Sequence, residues 1–303
     1  MYTVNRRRPQ GARGRSSALT HLFCALLAMS WPLVMTACAI ADYDFVQFDA
    51  TNPDATFILG INNQDQVVGV FYEDPEHPII GHGFKSPDYE IIDFPDARTI
   101  TTVYGINAYG DIVGSYDDSS TGRMRGFLLN SGGEYITIDH PSMQTEPTGI
   151  NNAGQIAGTQ QGGGFLLSDG EFTSFSHGPA TRTGAINDAG QIVGSFIRSF
   201  EVGPVGFVRD VSGSFSDDIS VPGADLTRVS GINNLGQVVG YYWMGDRLYH
   251  GFLLSDGQFT TIDFPGALYT VATGINDDGV IVGYFSDPDS QGIYTHGFLA
   301  RPR

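Results

Sequence analysis

The chain has 303 residues with 16 basic and 33 acidic side chains, and a formal charge of −17. Such an acid excess argues against nucleic acid and anionic membrane surfaces as partners, since both demand a basic footprint. Both cysteines, Cys24 and Cys38, lie near the N-terminus, so the rest of the chain has no disulfide, thiolate nucleophile or cysteine metal site.

Residues 1–41 read as an export signal. Arg6, Arg7, Arg8, Arg13 and Arg15 precede an apolar run from Leu22 to Val34, followed by Ala37, Ala39 and Ala41. That run is shorter than the ~20 residues a membrane span requires, so no span is expected in the mature chain. Two modes of cleavage remain open. Met35-Thr36-Ala37-Cys38 is similar to a bacterial lipobox and would lipidate Cys38; cleavage after Ala39 or Ala41 would release a soluble protein. Either places the product outside the cytoplasm: secreted, periplasmic, or lipid-anchored at the cell surface. Removing the signal leaves eleven basic against 33 acidic residues, a charge of −22.

Residues 42–303 are built from six copies of one pattern. Gly60-Ile61-Asn62 recurs at Gly105, Gly149, Ala185 (as Ala-Ile-Asn), Gly231 and Gly274, with starts 45, 44, 36, 46 and 43 residues apart. Each copy predicts four short strands. Strand a ends in Gly-Ile-Asn, and a turn such as Asn187-Asp188-Ala189-Gly190 suits left-handed backbone. Strand b is β-branched, as in Gln191-Ile192-Val193-Gly194. Strand c carries Gly-Phe (Phe84, Phe127, Phe165, Phe207, Phe252, Phe298), and strand d follows a turn such as Ser255-Asp256-Gly257. Pro265 at the end of a d strand suits an outer edge, where no ladder donor is needed. A period in the forties made of short strands predicts an all-β, six-bladed β-propeller with four strands per blade. The d-like segment Phe45-Val46-Gln47-Phe48-Asp49 opens the domain, and the chain stops just after the sixth strand c. The N-terminal strand is therefore expected to complete the last blade and close the ring.

Gly231-Ile232-Asn233-Asn234-Leu235-Gly236-Gln237-Val238-Val239-Gly240, His250-Gly251-Phe252 and Ile262-Asp263-Phe264-Pro265-Gly266-Ala267 resemble the HAF-repeat family of bacterial extracellular proteins. The resemblance covers about residues 43 to 303, with His-Gly-Phe or x-Gly-Phe where the family name suggests His-Ala-Phe. It implies an exported bacterial repeat protein and no particular activity. The strand layout also resembles six-bladed NHL-type propellers, and by that analogy strand a is innermost.

Residues present in every copy read as architecture: the Asn of Gly-Ile-Asn, and the Thr four places before its Gly (Thr56, Thr101, Thr145, Thr181, Thr227, Thr270). His82, His250 and His296 precede Gly-Phe on separate blades, too far apart to share a zinc ion, and a repeated structural contact is expected. The acids Glu73, Asp74, Glu76, Asp117, Asp118, Asp287 and Asp289 read as solvated loop residues. They lack an EF-hand's full ligand set, so no cofactor is expected beyond weak calcium binding.

The asymmetric positions are the candidate site. Three residues before each repeat's Gly-Ile-Asn or Ala-Ile-Asn stand Phe57, Thr102, Glu146, Arg182, Arg228 and Val271. Glu146, Arg182 and Arg228 should sit side by side near the axis, beside a notch left by the short b–c loop of repeat 3, Thr159 to Gly163. Neighbouring loops bring Ile197, Phe200 and Trp243, with Met244. A basic pair beside aromatics suits an acidic sugar or peptide; the alternative is an inter-blade salt bridge under folded-over aromatics. The leading functional expectation is a non-catalytic binding or scaffold module for an extracellular glycan or protein. An enzyme acting on a polysaccharide or lactone would need paired carboxylates or several metal ligands near the axis, where only Glu146 is found. A purely structural surface protein is the third alternative.

Overall fold

A computed structural model describes residues 43–50, 55–72, 80–140, 144–199, 202–216, 218–245, 248–287 and 294–303, all within one compact unit, Cys38–Arg303. Residues 1–41, read above as an export signal, lie with Cys38 outside the described residues. Among the described residues every regular element is a strand, and no helix is long and apolar enough to cross a membrane.

Four of the six repeats fold as an antiparallel run of their own strands in the order a, b, c, d. Repeat 1 contributes β2 (Thr56–Ile61), β3 (Val67–Tyr72), β4 (Gly81–Lys85) and β5 (Glu90–Ile92). Repeat 2 contributes β6 (Ala97–Ile106), β7 (Ile112–Asp118), β8 (Met124–Leu129) and β9 (Tyr135–Ile138). A single parallel bridge, Gly81 to Ile100, joins these two sheets. Repeat 3 forms β10 (Thr145–Ile150), β11 (Ile156–Gln160), β12 (Gly163–Ser168) and β13 (Glu171–Phe175). Repeat 5 forms β17 (Leu226–Ile232), β18 (Val238–Trp243), β19 (Tyr249–Ser255) and β20 (Gln258–Ile262).

Repeat 4 departs from four strands. It has β14 (Arg182–Ile186), β15 (Ile192–Ser199) and β16 (Val202–Arg209), while its outer position is held only by bridges from Phe215 and Ile219. The segment after β16 is rich in Ser, Asp and Gly, which are poor strand formers. In repeat 6, β21 (Tyr269–Ile275), β22 (Ile281–Ser286) and β23 (Thr295–Pro302) take their fourth strand from the start of the domain. This is β1 (Tyr43–Phe48), which runs antiparallel to β23 from Tyr43↔Pro302 to Phe48↔Gly297.

The repeated residues explain the packing. Phe84, Phe127, Phe165, Phe207, Phe252 and Phe298 are each at most 1 % exposed. Five of these rings, all but Phe84, lie against a strand b glycine that leaves room for them: a Cβ on Gly114 would lie 2.7 Å from the Phe127 ring. The inner strands approach backbone to backbone, so a Cβ on Gly105 would lie 3.1 Å from Gly149 Cα, and one on Gly231 3.0 Å from Gly274 Cα.

The Asn of Gly-Ile-Asn links the sheets. Its Nδ2 donates to the backbone carbonyl of the next copy's Asn: Asn62 to Asn107, then to Asn151, Asn187, Asn233 and Asn276, and Asn276 back to Asn62. The Oδ1 meanwhile accepts backbone N–H groups of the following turn, as at Leu235 and Gln237 for Asn233. At the other end of strand a, all six threonines accept an N–H from the segment arriving from strand d, as Thr101 does from Phe94 and Thr270 from Phe264.

The three histidines before Gly-Phe each place Nδ1 2.8 Å from a d-strand-end carboxylate: His82 with Asp93, His250 with Asp263 and His296 with Asp49. Arg125 takes the equivalent place in repeat 2 and holds Asp139 at 2.7 Å. The partner is thus an aspartate flanking strand d, one residue on from the last-strand Ile in the Ile-Asp-Phe-Pro blocks.

Asp117 and Asp118 correct the solvated-loop reading. Both belong to β7 and are buried, because the chain supplies their donors. Asp117 accepts from the backbone of Arg98, Thr99 and Ile100, from Thr99 Oγ1 and from Arg98 Nε. Asp118 accepts from Ser120, Thr121 and Arg125. Glu73, Asp74, Glu76 and Asp289 lie outside the described residues. Burial alone would raise the Asp117 pKa, but the donors outweigh it and lower it to about 2. The stability it contributes is therefore present above the ordinary carboxylate pKa near 4 and is lost as the pH falls from about 4 through about 2. Asp117→Asn should flatten the acid limb of a stability–pH curve by on the order of 2 kcal/mol; identical acid limbs in urea titrations would refute this.

Candidate functional site

The face where the inner strands begin, here the upper face, carries the cavities. The opposite mouth is ringed by turn residues: Asn152, Asp188, Asn234 and Asp277 each donate a backbone N–H to the next side chain at 2.8–2.9 Å. It encloses only about 80 Å3.

On the upper face an axial cavity of about 230 Å3 adjoins an outer cavity of about 430 Å3. The outer one alone is within the range of small-molecule sites, roughly 300–1,000 Å3. Its opening follows from the short hairpin of repeat 3: β11 has five residues and only Gln161 and Gly162 separate it from β12, whereas β15 beside it has eight. Gly162 takes φ +94°, a left-handed conformation that favours glycine in so tight a turn.

Glu146, Arg182 and Arg228 occupy equivalent places on β10, β14 and β17, opposite Thr159, Ser195 and Tyr241 respectively. All three line the axial cavity, and Glu146, Thr159 and Arg182 line both cavities. Arg182 is exposed and Arg228 half-buried. Among the described residues neither forms an ion pair or a side-chain hydrogen bond, so the inter-blade salt bridge is not what holds them. By contrast Arg98, Arg125, Arg198, Arg301 and Arg303 each hold a carboxylate, and Arg209 lies 4.8 Å from the centre of the Phe175 ring.

Ile197 and Trp243 stand elsewhere. Ile197 is near the end of β15, and its N–H bonds the Pro179 carbonyl. Trp243 ends β18, opposite Leu226 and Tyr249, half-buried with its Nε1 shielded and without a hydrogen-bond partner among the described residues. Neither lines either cavity. Phe200 lies outside the described residues, and Met244 is exposed.

Sequence reasoning missed the residue immediately before Gly-Ile-Asn. All six inner pairs carry a register shift there. A bulge turns its extra residue out of the alternation, and Leu59, Tyr104, Thr148, Gly184, Ser230 and Thr273 consequently all line the axial cavity. The variability of this column beside an invariant Ile-Asn was the available signal. Tyr104 is the largest of the six. Burial first, then the charge of the neighbouring Glu146 carboxylate, hold its hydroxyl pKa well above the ordinary value. Tyr241, also missed, has its hydroxyl pKa raised by burial, with Arg228 and Arg182 pulling the other way. Both guanidiniums therefore act on that one hydroxyl. Among the described residues Glu146 is the one carboxylate lining these two cavities, and no group of three His, Cys, Asp or Glu residues is placed to hold a metal ion.

No protein-family profile matches the chain, and no curated protein is detectably similar in sequence. Solved structures do match. TolB from Acinetobacter baumannii aligns with TM-score 0.50 and 13 % identity over 78 % of this chain and 65 % of its own. The chain thus spans about two-thirds of the TolB length. A gluconolactonase from Xanthomonas campestris aligns with TM-score 0.50 and 14 % identity over 88 % of this chain and 92 % of its own. The β-propeller domain of the Trilobed protease from Pyrococcus furiosus reaches TM-score 0.47 with 7 % identity. At these identities the likeness concerns the fold alone: the protein is an all-β chain with a β-propeller fold.

Proposed function

We propose that the protein is an exported, six-bladed β-propeller of the HAF-repeat type that binds an extracellular glycan or protein at its upper mouth without transforming it. The observation that carries the reading is the convergence of Arg182 and Arg228, two guanidiniums without a partner among the described residues, with Glu146 on one pair of adjoining cavities. Six sheets linked by a cyclic run of Asn-to-Asn hydrogen bonds, with β1 pairing β23, favour six blades and a closed ring. A rigid ring with freely varying loops suits recognition. Hydrolysis or metal-assisted chemistry would need a second carboxylate or further ligands beside Glu146, and the described lining provides neither. Cleavage and, where Cys38 is retained, lipidation would leave the propeller outside the cytoplasm.

The secreted protein should bind at least one ligand saturably on a broad array of bacterial and plant glycans and surface proteins. Arg182→Ala/Arg228→Ala should weaken that binding about a hundredfold, as expected for losing two charge-assisted contacts, while Arg301→Ala, on β23, should leave it unchanged. Binding indifferent to the double variant, or steady conversion of the bound ligand to product, would rule this function out.

A further inference from the structure

Resting on the binding function proposed above, we infer that the group selected at this mouth is the carboxylate of a uronic acid within an oligosaccharide. Arg182 and Arg228 sit at equivalent positions on adjacent inner strands and converge electrostatically on the Tyr241 hydroxyl. In a domain where eleven basic residues meet 33 acidic ones, these two cations of one cavity system have no carboxylate partner among the described residues. A ligand carboxylate supplies the missing anion, and guanidinium forks match its two oxygens.

The remaining lining points to a sugar. Beside its apolar surface it is rich in hydroxyls and carboxamides: Thr148, Thr159 and Thr183, which also bond one another, with Ser195, Gln144 and Gln160. Such a surface satisfies the closely spaced donors and acceptors of a pyranose. An acidic peptide would instead ask for apolar pockets between its charges. Glu146, at the junction of the cavities, is an acceptor for ring hydroxyls and repels a second anion placed beside it. That makes the site selective for one carboxylate flanked by hydroxyls over a densely charged phosphate or sulfate chain. The outer cavity, opened by the short repeat 3 hairpin, gives the neighbouring sugar residue a radial path out to solvent.

The test is calorimetric titration of the secreted protein with uronate tetramers of the galacturonate, mannuronate and glucuronate types. Their carboxyl-reduced counterparts and a glutamate tetrapeptide complete the set. At least one uronate tetramer should bind, with its reduced counterpart at least thirtyfold weaker and the peptide weaker still. Arg182→Lys and Arg228→Lys, which keep charge but lose the fork, should each cost about tenfold; unfolding midpoints equal to that of the parent protein confirm that the variants fold. Equal affinity for the reduced sugar, or binding confined to neutral glycans, overturns the uronate assignment while leaving a glycan-binding mouth in place. Tighter binding of the peptide overturns the sugar class. Silence of every probe here and on the glycan and protein array overturns both the assignment and the binding function.

Discussion

Asn233→Ala is expected to lower the stability of the propeller by about 2–4 kcal/mol. The side chain is buried and makes four hydrogen bonds: Nδ2 to Gln237 Oε1 and the Asn276 carbonyl, and Oδ1 from the Leu235 and Gln237 N–H groups. Alanine leaves two turn donors without partners, each costing about 1–3 kcal/mol where water cannot reach, and leaves the Asn276 carbonyl with the Gly279 N–H alone. The exposed Leu235 end regains part of this from solvent. Gln237→Ala, which removes one side-chain acceptor, should cost less than half as much. Urea unfolding with an unchanged slope and a shifted midpoint would report it; a shift below about 0.5 kcal/mol would mean that the Asn-to-Asn bonds are incidental.

Phe45→Ala/Phe48→Ala should be at least as damaging, by about 4 kcal/mol or more, on the scale of large aromatic truncations discounted for partial exposure. Phe45 packs on Phe264 and Phe298 within repeat 6, at 5.6 and 5.9 Å between ring centres. Phe48 stacks over Phe84 at 5.9 Å and meets Tyr89 at 5.4 Å, both in repeat 1. Strand β1 therefore ties the last sheet to the first as well as completing the last one. Its release would bare the β23 edge, a template for intermolecular pairing. The expected result is a lower midpoint together with concentration-dependent association in light scattering. A monomer with an unaltered midpoint would show that β1 is dispensable.

Much of the architecture was legible because a repeat must solve the same packing problem six times. Gly on strand b has to leave room for the Phe of strand c, and Asn has to reach the next turn, so each recurs in every copy. The threonine column was readable as structural for the same reason, and its six N–H contacts show what it does. Deviations were less legible. The missing fourth strand of repeat 4 reflects a Ser/Asp/Gly-rich stretch whose pairing depends on what the neighbouring strand offers. Asp117 and Asp118 looked like loop acids, since nothing local reveals that the β6 start folds back to donate to Asp117.

At the candidate site, Glu146, Arg182 and Arg228 could be aligned from the sequence by counting from Gly-Ile-Asn. Tyr104, Thr148 and Ser230 could not be placed by that count. A bulge displaces the pleat by one residue, and a one-residue slip sends a side chain to the opposite face. Only the folded backbone shows where that slip occurs. The sequence by itself determined the number of repeats, the strand order within each and the invariant packing residues, because these rest on local periodicity and steric necessity. The tertiary structure decided which side chains face the axis, that the two arginines have no partner among the described residues, and that Trp243 and Ile197 stand apart from them. Those outcomes depend on how neighbouring sheets converge, which no single stretch of chain encodes.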